Sequence, residues 1–230
     1  MNFSNLASLV IPEGNVTAIT FGGKLLWRKR SVSNYVELEY LEGTGTQYIN
    51  TGLFPPKDAE IYIKYQLTQT EQGAANNGAI FGGRNTQTSG TCTLFYLASA
   101  NPQYFRFDRV GQVSIGNSNT LSINAQSVFE FLYKDNKASV TNLTTGESAS
   151  VTLGNPSTFT ATAVSLFAVR TSGQAGTFLK GRIYEWKYWE GGKLAQHFVP
   201  VLDLDNRPCM YDKVTDKLFY NSGSGEFLYG

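Results

Sequence analysis

Ile61, Ile63, Tyr65 and Leu67 fall at every second position of residues 60–67, with Glu60, Tyr62, Lys64 and Gln66 between them. Successive side chains of a strand point to opposite faces, so this stretch carries one buried side and one wet side. A chain whose clearest pattern has a period of two is built from sheets. Residues 182–189 repeat that pattern, with Tyr184, Trp186 and Tyr188 expected on one face. Residues 128–133 and 163–169 are more continuously apolar and read as more deeply buried strands. Turn formers separate the runs at residues 135–137, 145–147, 190–193 and 221–225. Their Gly, Asn and Asp tolerate the positive φ of tight turns. No amphipathic stretch is long enough for a substantial helix, and neither an internal repeat nor a low-complexity tract breaks the series. The expected class is all-β.

All-β sandwiches of this size, 230 residues, commonly form one unit. Such a chain buries enough surface to fold without a metal or a disulfide. Only 16% of the residues are charged, against about a quarter in ordinary domains. Ser, Thr, Asn and Gly fill the gap and suit strands and turns rather than surface helices. The net charge of +1 supplies no basic field for a phosphate backbone, which argues against nucleic acid as a partner. No apolar run approaches the roughly 20 residues of a membrane span, so a membrane is not an expected partner either. Cys92 and Cys209 are expected as small buried strand residues, and spacing alone leaves their pairing open.

Residues 1–31 read differently from residues 32–230. Residues 16–21 are strand-like, Gly22 and Gly23 signal a tight turn, and residues 24–27 return. This segment holds four Lys or Arg and one acid, a net +3, and the remainder is net −2. A lone hairpin is marginal in water. Its apolar residues Val16, Ile19, Phe21, Leu25 and Trp27 are therefore expected to anchor it on the sandwich or on a partner protein.

Residues 36–52 run Val36-Glu37-Leu38-Glu39-Tyr40-Leu41-Glu42-Gly43-Thr44-Gly45-Thr46-Gln47-Tyr48-Ile49-Asn50-Thr51-Gly52. This stretch resembles the opening strands of a laminin-G-like, concanavalin A-like domain of the kind found in phage and prophage proteins of gut bacteria. Ile80-Phe81-Gly82-Gly83-Arg84-Asn85, Leu166-Phe167-Ala168 and Gly181-Arg182-Ile183-Tyr184 fit the same pattern. So do Phe198-Val199-Pro200-Val201-Leu202-Asp203 and Pro208-Cys209-Met210-Tyr211-Asp212 near the end. The likeness extends over residues 35–230. A shorter match, Leu9-Val10-Ile11-Pro12-Glu13-Gly14-Asn15-Val16 with Gly23-Lys24-Leu25-Leu26-Trp27, is similar to a leader that precedes such domains in phage proteins.

The resemblance implies a concanavalin A-like jelly-roll β-sandwich preceded by a short N-terminal β-hairpin segment. It implies a bacteriophage virion surface protein, as a head decoration, tail or fibre component, assembled in the host bacterial cytoplasm. The first ten residues lack a basic region followed by a long apolar stretch, which agrees with that route rather than with secretion. The implied partners are other virion proteins, met through the N-terminal segment, and cell-surface or mucosal glycans. Phage appendages are usually symmetric, so a homo-oligomer, a trimer, is expected. The alternatives are a bacterial or prophage-derived carbohydrate-binding module with no virion role and, last, a glycoside hydrolase on the same scaffold.

Catalytic constellations are sparse. The fold class includes laminarinase-type hydrolases, whose Glu-x-Asp-x-x-Glu pattern puts carboxylates on one strand face, and that pattern is absent. Glu185 and Glu190 have an odd separation and on a regular strand oppose each other, while Glu37 and Glu39 read as a polar edge. His197 is the single histidine, and no Gly-x-Ser-x-Gly elbow supplies a serine for it. One His and two distant Cys do not make a structural zinc site, and Gly22-Gly23-Lys24 is followed by Leu rather than by Ser or Thr. A non-enzymatic chain without a cofactor is expected. Relatives of the fold bind calcium through Asp and Asn on rim loops, which makes Asp203 and Asp205 the calcium candidates. Arg84, Asn85, Tyr96 and Tyr104 are the expected ligand-binding residues, because they flank Gly-, Asn- and Ser-rich loops. There a ring can pack on a sugar face while planar polar groups bond its hydroxyls.

Overall fold

The structure, a computed structural model, describes residues 18–21, 24–28, 35–70, 77–87, 89–109, 111–154 and 162–230. Strands β1 (Ala18–Phe21) and β2 (Lys24–Arg28) pair antiparallel as a two-stranded sheet of their own, with Ile19 opposite Trp27 and Thr20 opposite Leu25. The N-terminal hairpin is therefore present; Val16 and the Gly22-Gly23 turn lie outside the described residues. The chain continues through β3 (Val36–Glu37), β4 (Leu41–Thr44), β5 (Ile49–Asn50), β6 (Glu60–Leu67), β7 (Asn77–Arg84), β8 (Cys92–Leu97) and β9 (Tyr104–Asp108). Next come β10 (Gln112–Asn117), β11 (Val128–Lys134), β12 (Lys137–Asn142), β13 (Ser148–Thr152), β14 (Ser165–Leu166), β15 (Val169–Thr171) and β16 (Gln174–Gly176). The last are β17 (Lys180–Glu190), β18 (Lys193–Leu202), β19 (Pro208–Asp212), β20 (Lys217–Phe219) and β21 (Leu228–Tyr229). Among the described residues there is no helix.

These strands form two stacked sheets. The smaller, 8-stranded sheet runs β10-β9-β8-β7-β14-β5, with β15 beside β7 and β16 beside β15. The larger, 11-stranded sheet runs β13-β12-β11-β6-β17-β18-β19-β20, with β3, β4 and β21 added at its margin. Pairing is antiparallel apart from β15, which lies parallel to β7. Phe167, at φ 65, reverses the chain between β14 and β15 so that both reach the same flank of β7. Gly82 admits this approach: a Cβ there would meet Thr93 Cγ2 at 2.6 Å and Val169 Cγ2 at 3.0 Å.

The core follows the period of two. Ile61, Ile63, Tyr65 and Leu67 of β6 are buried, and the residues between them are half-buried on the outer face. Residues 163–169 are buried throughout, as continuous apolarity demands. The stretch at 128–133 is instead half-buried: Phe129, Phe131 and Tyr133 enter the core, and Leu132 faces solvent at 40% exposure. Its ladder with β12 and β6 explains this, because β11 has one face toward the other sheet and one toward water.

A second departure concerns Tyr184. The register of β17 against β6 shifts between Ile183 and Glu185. That bulge turns Tyr184 outward, away from Trp186 and Tyr188, which stay in the core. Two tight turns close as their residues require. Asp135 and Asn136, at φ 50 and 57, join β11 to β12, and Gly191 and Gly192, at φ 56 and 72, join β17 to β18.

Rings from both sheets interlock at the centre. Phe81 of the smaller sheet meets Trp186 edge-on at 5.2 Å and Phe131 at 5.6 Å, and Phe107 meets Phe131 at 5.0 Å and Tyr133 at 5.1 Å. Cys92 joins this core, Cys209 sits in a separate cluster with Val201 and Tyr211, and both thiols are free and buried. Truncating Phe81→Ala should cost about 3–5 kcal/mol in urea unfolding, whereas Leu132→Ala on the outer face should stay within about 0.5 kcal/mol. Equal losses for the two would contradict the assignment of faces.

Candidate functional site

The outer face of the smaller sheet carries two of the four expected ligand residues, Arg84 and Tyr104. Cys92, Leu94 and Tyr96 of β8 and Phe105 and Phe107 of β9 point into the main core. Alternation therefore turns Thr93, Phe95 and Leu97 outward, together with Tyr104, Arg106 and Asp108. Phe95 and Leu97 form a small outer cluster with Ala79 and Val169, and Tyr104 packs against it. Arg84 arrives from the end of β7 and Thr171 from β15, its parallel neighbour in the ladder.

Phe95 is a platform for two guanidinium groups. The Arg106 Cζ lies 4.9 Å from its ring centroid and the Arg84 Cζ 5.7 Å from it. Arg106 Nη2 donates to Asp108 Oδ2 at 3.0 Å, and Nε stands 2.9 Å from Oδ1 in an ionic contact that is off-line for a hydrogen bond. Arg84 Nε donates to Thr171 Oγ1 at 2.7 Å. Thr93 stands opposite Asp108 in the ladder, and its fully buried hydroxyl has no hydrogen-bond partner among the described residues.

Burial dominates the electrostatics. Asp108 is 1% exposed. Desolvation pushes its carboxyl above the ordinary value of 3.8, and Arg106 and then Arg84 offset part of that rise. Desolvation lowers the Arg84 guanidinium, Asp108 counters it, and Arg106 lowers it further. The face thus holds two cations and one anion at low dielectric, where unbalanced charge is costly. Its half-buried guanidinium forks and the Tyr104 ring can bond and stack on a polar ligand, while the buried Asp108 holds Arg106 in place.

Of the four sequence candidates, Arg84 and Tyr104 lie on this face. Asn85 follows β7 in the bend at 85–90, where its backbone carbonyl accepts from Ser172 Oγ and its amide N–H bonds Ser89 O. Tyr96 does not belong: it points inward, fully buried, with Phe105 5.6 Å away. Phe95, Arg106, Asp108 and Thr171 were missed. Strict alternation through Tyr104-Phe105-Arg106-Phe107-Asp108 carried the signal for two of them.

The other polar clusters are internally matched. Across the outer face of the larger sheet, Arg182 bonds Glu42 at 2.7 Å and Gln66 at 3.2 Å, Tyr184 bonds Gln66 at 2.9 Å, and Tyr62 bonds Glu130 at 2.6 Å. Glu185 takes His197 Nε2 at 2.7 Å and Lys187 Nζ at 2.8 Å. Burial would raise the Glu185 carboxyl, but Lys187 and His197 outweigh it and hold it below the usual range.

The calcium candidates close the turn between β18 and β19. Asp203 Oδ1 accepts the backbone N–H of Asp205 and of Arg207, and Oδ2 accepts from Arg207 Nε and the Tyr220 hydroxyl. Asp205 pairs with Arg207 at 3.1 Å. Both Asp203 oxygens are thereby committed to protein donors. Among the described residues no three His, Cys, Asp or Glu side chains gather as a metal-holding group.

No protein-family model matches the chain, and no curated protein is detectably similar to it in sequence. Comparison with solved structures finds likenesses of differing extent. A candidate carbohydrate-binding protein from Bacteroides ovatus ATCC 8483 superposes with a TM-score of 0.52 at 11% identity, over 85% of this chain and 60% of that one. Tailspike protein 2 of the Escherichia coli O157:H7 bacteriophage CAB120 gives 0.39 at 17% identity, over 58% of this chain and 20% of that one. Scytalido-glutamic peptidase gives 0.39 at 10% identity, over 74% and 91%. The chain thus spans less than two thirds of the first two proteins. The Bacteroides likeness extends the β-sandwich over most of the chain.

The buried Asp108 makes a pH test. A carboxyl that holds its proton more tightly folded than unfolded makes stability fall as pH rises from its ordinary value, 3.8, to its raised folded value. Unfolding free energies between about pH 3 and pH 7 should therefore decline less steeply in Asp108→Asn than in the wild type. Identical slopes would mean that this carboxyl is not desolvated.

Proposed function

We propose that this chain is a carbohydrate-binding β-sandwich, concanavalin A-like and laminin-G-like in kind, displayed on a bacteriophage particle. The glycan would lie across the outer face of the smaller sheet. The observation that carries this reading is the set of fixed polar groups around Phe95: the Arg84 and Arg106 forks, the latter held by the buried Asp108, and the Thr171 hydroxyl. Planar forks bond vicinal hydroxyls in pairs, and a half-exposed ring such as Tyr104 takes the CH-rich face of a sugar. Strand residues hold these groups without the ordering cost that loops incur on binding.

Binding rather than turnover is favoured because the sequence lacks the Glu-x-Asp-x-x-Glu pattern that sets paired carboxylates on one strand face, and Glu185 is engaged by Lys187 and His197. The particle half of the proposal rests on the resemblance of residues 9–16 and 23–27 to leaders of phage proteins. The hairpin of β1 and β2 would then be the attachment element.

Two measurements test these halves. On a glycan panel the full chain should bind at least one sugar, and Arg106→Ala should weaken it about tenfold or more, the loss of one charge-assisted fork. A clean blank across the panel would remove the sugar-binding half. The chain should also sediment with intact virions through a density gradient; recovery only from the soluble lysate would remove the particle half.

A further inference from the structure

Building on the sugar-binding reading, we infer that the glycan is acidic, with a carboxylate or sulfate that docks on Arg84. The charges on this face do not balance. Asp108 offers one carboxylate, and Arg106 engages both of its oxygens at 2.9 and 3.0 Å. Arg84 receives only a neutral partner, the Thr171 hydroxyl at its Nε. Among the described residues no carboxylate reaches Arg84 within the 4.0 Å of an ion pair.

The surroundings make this imbalance matter. Arg84 is half-buried, rests over the Phe95 ring and shares that ring with a second cation. Desolvation disfavours its charge, Asp108 offsets part of that without coming within ion-pair distance, and Arg106 disfavours it further. An incoming anion would relieve that repulsion, and two guanidinium N–H groups beyond Nε match the two oxygens of a carboxylate or sulfate edge. On the larger sheet Arg182, by contrast, faces Glu42 at 2.7 Å.

The test uses the full chain and pairs of glycans that differ only in the acid. Oligogalacturonate is compared with its methyl ester, and chondroitin sulfate with desulfated chondroitin, by isothermal titration. One acidic member should bind at least about tenfold tighter than its neutral or desulfated partner, and the gap should shrink with added salt. The pair that shows the gap separates carboxylate from sulfate. Arg84→Gln should erase the gap between acidic and neutral members, and Arg84→Lys should restore part of it. Neutral members binding as well as the acidic ones would overturn the inference and leave the sugar-binding site standing. No binding by any member, nor by any neutral glycan, would overturn the site and the inference together.

Discussion

The interlocking of aromatic rings between the two sheets is the constraint on which everything outside it depends. Phe81 and Phe107 descend from the smaller sheet and Trp186, Phe131 and Tyr133 rise from the larger. Burial of such rings drives the stacking, and edge-on geometry selects one register over its neighbours. The one polar atom of Trp186 is provided for: its Nε1–H donates to Gln196 Oε1 at 3.1 Å, and Gln196 Nε2 passes the link to Thr51 O at 3.2 Å. A strand that commits its odd residues to this interlock has its even residues fixed outward.

The outer faces of the two sheets solve different problems. The larger sheet lines up opposite charges and hydroxyl–carboxylate pairs across its strands, the arrangement that stabilises a solvated face. Its polar groups answer one another, from Glu42 through Arg182, Gln66 and Tyr184 to Glu185 and His197. The smaller sheet sinks a carboxylate to near-complete burial beneath two cations on an aromatic ring. Desolvation there disfavours the charge of the Asp108 carboxylate and of the Arg84 guanidinium alike.

The period of two also fails in two informative places. In β7 the register shift between Ala79 and Phe81 sends both Ile80 and Phe81 inward and leaves Ala79 to the outer cluster. In β17 the shift between Ile183 and Glu185 sends two consecutive residues outward, so that Tyr184 reaches Gln66 and Glu185 reaches His197. An extra residue in one strand is a property of the pair of strands, which is why periodicity alone assigned Tyr184 to the wrong side.

By itself the sequence determined the all-β class, the buried face of β6, the turns at Asp135-Asn136 and Gly191-Gly192, and the N-terminal pairing. Each of these follows from residues close in the chain, through side-chain alternation or the φ values a turn demands. Only the tertiary structure decided that Tyr96 points inward and that Leu132 meets water. It alone brought Arg84, Arg106, Asp108 and Thr171 around Phe95, although they come from three strands scattered over residues 84–171. Local pattern says which residues of one strand share a side. Which strands lie next to each other, and which side faces the second sheet, is settled by packing over long sequence separations.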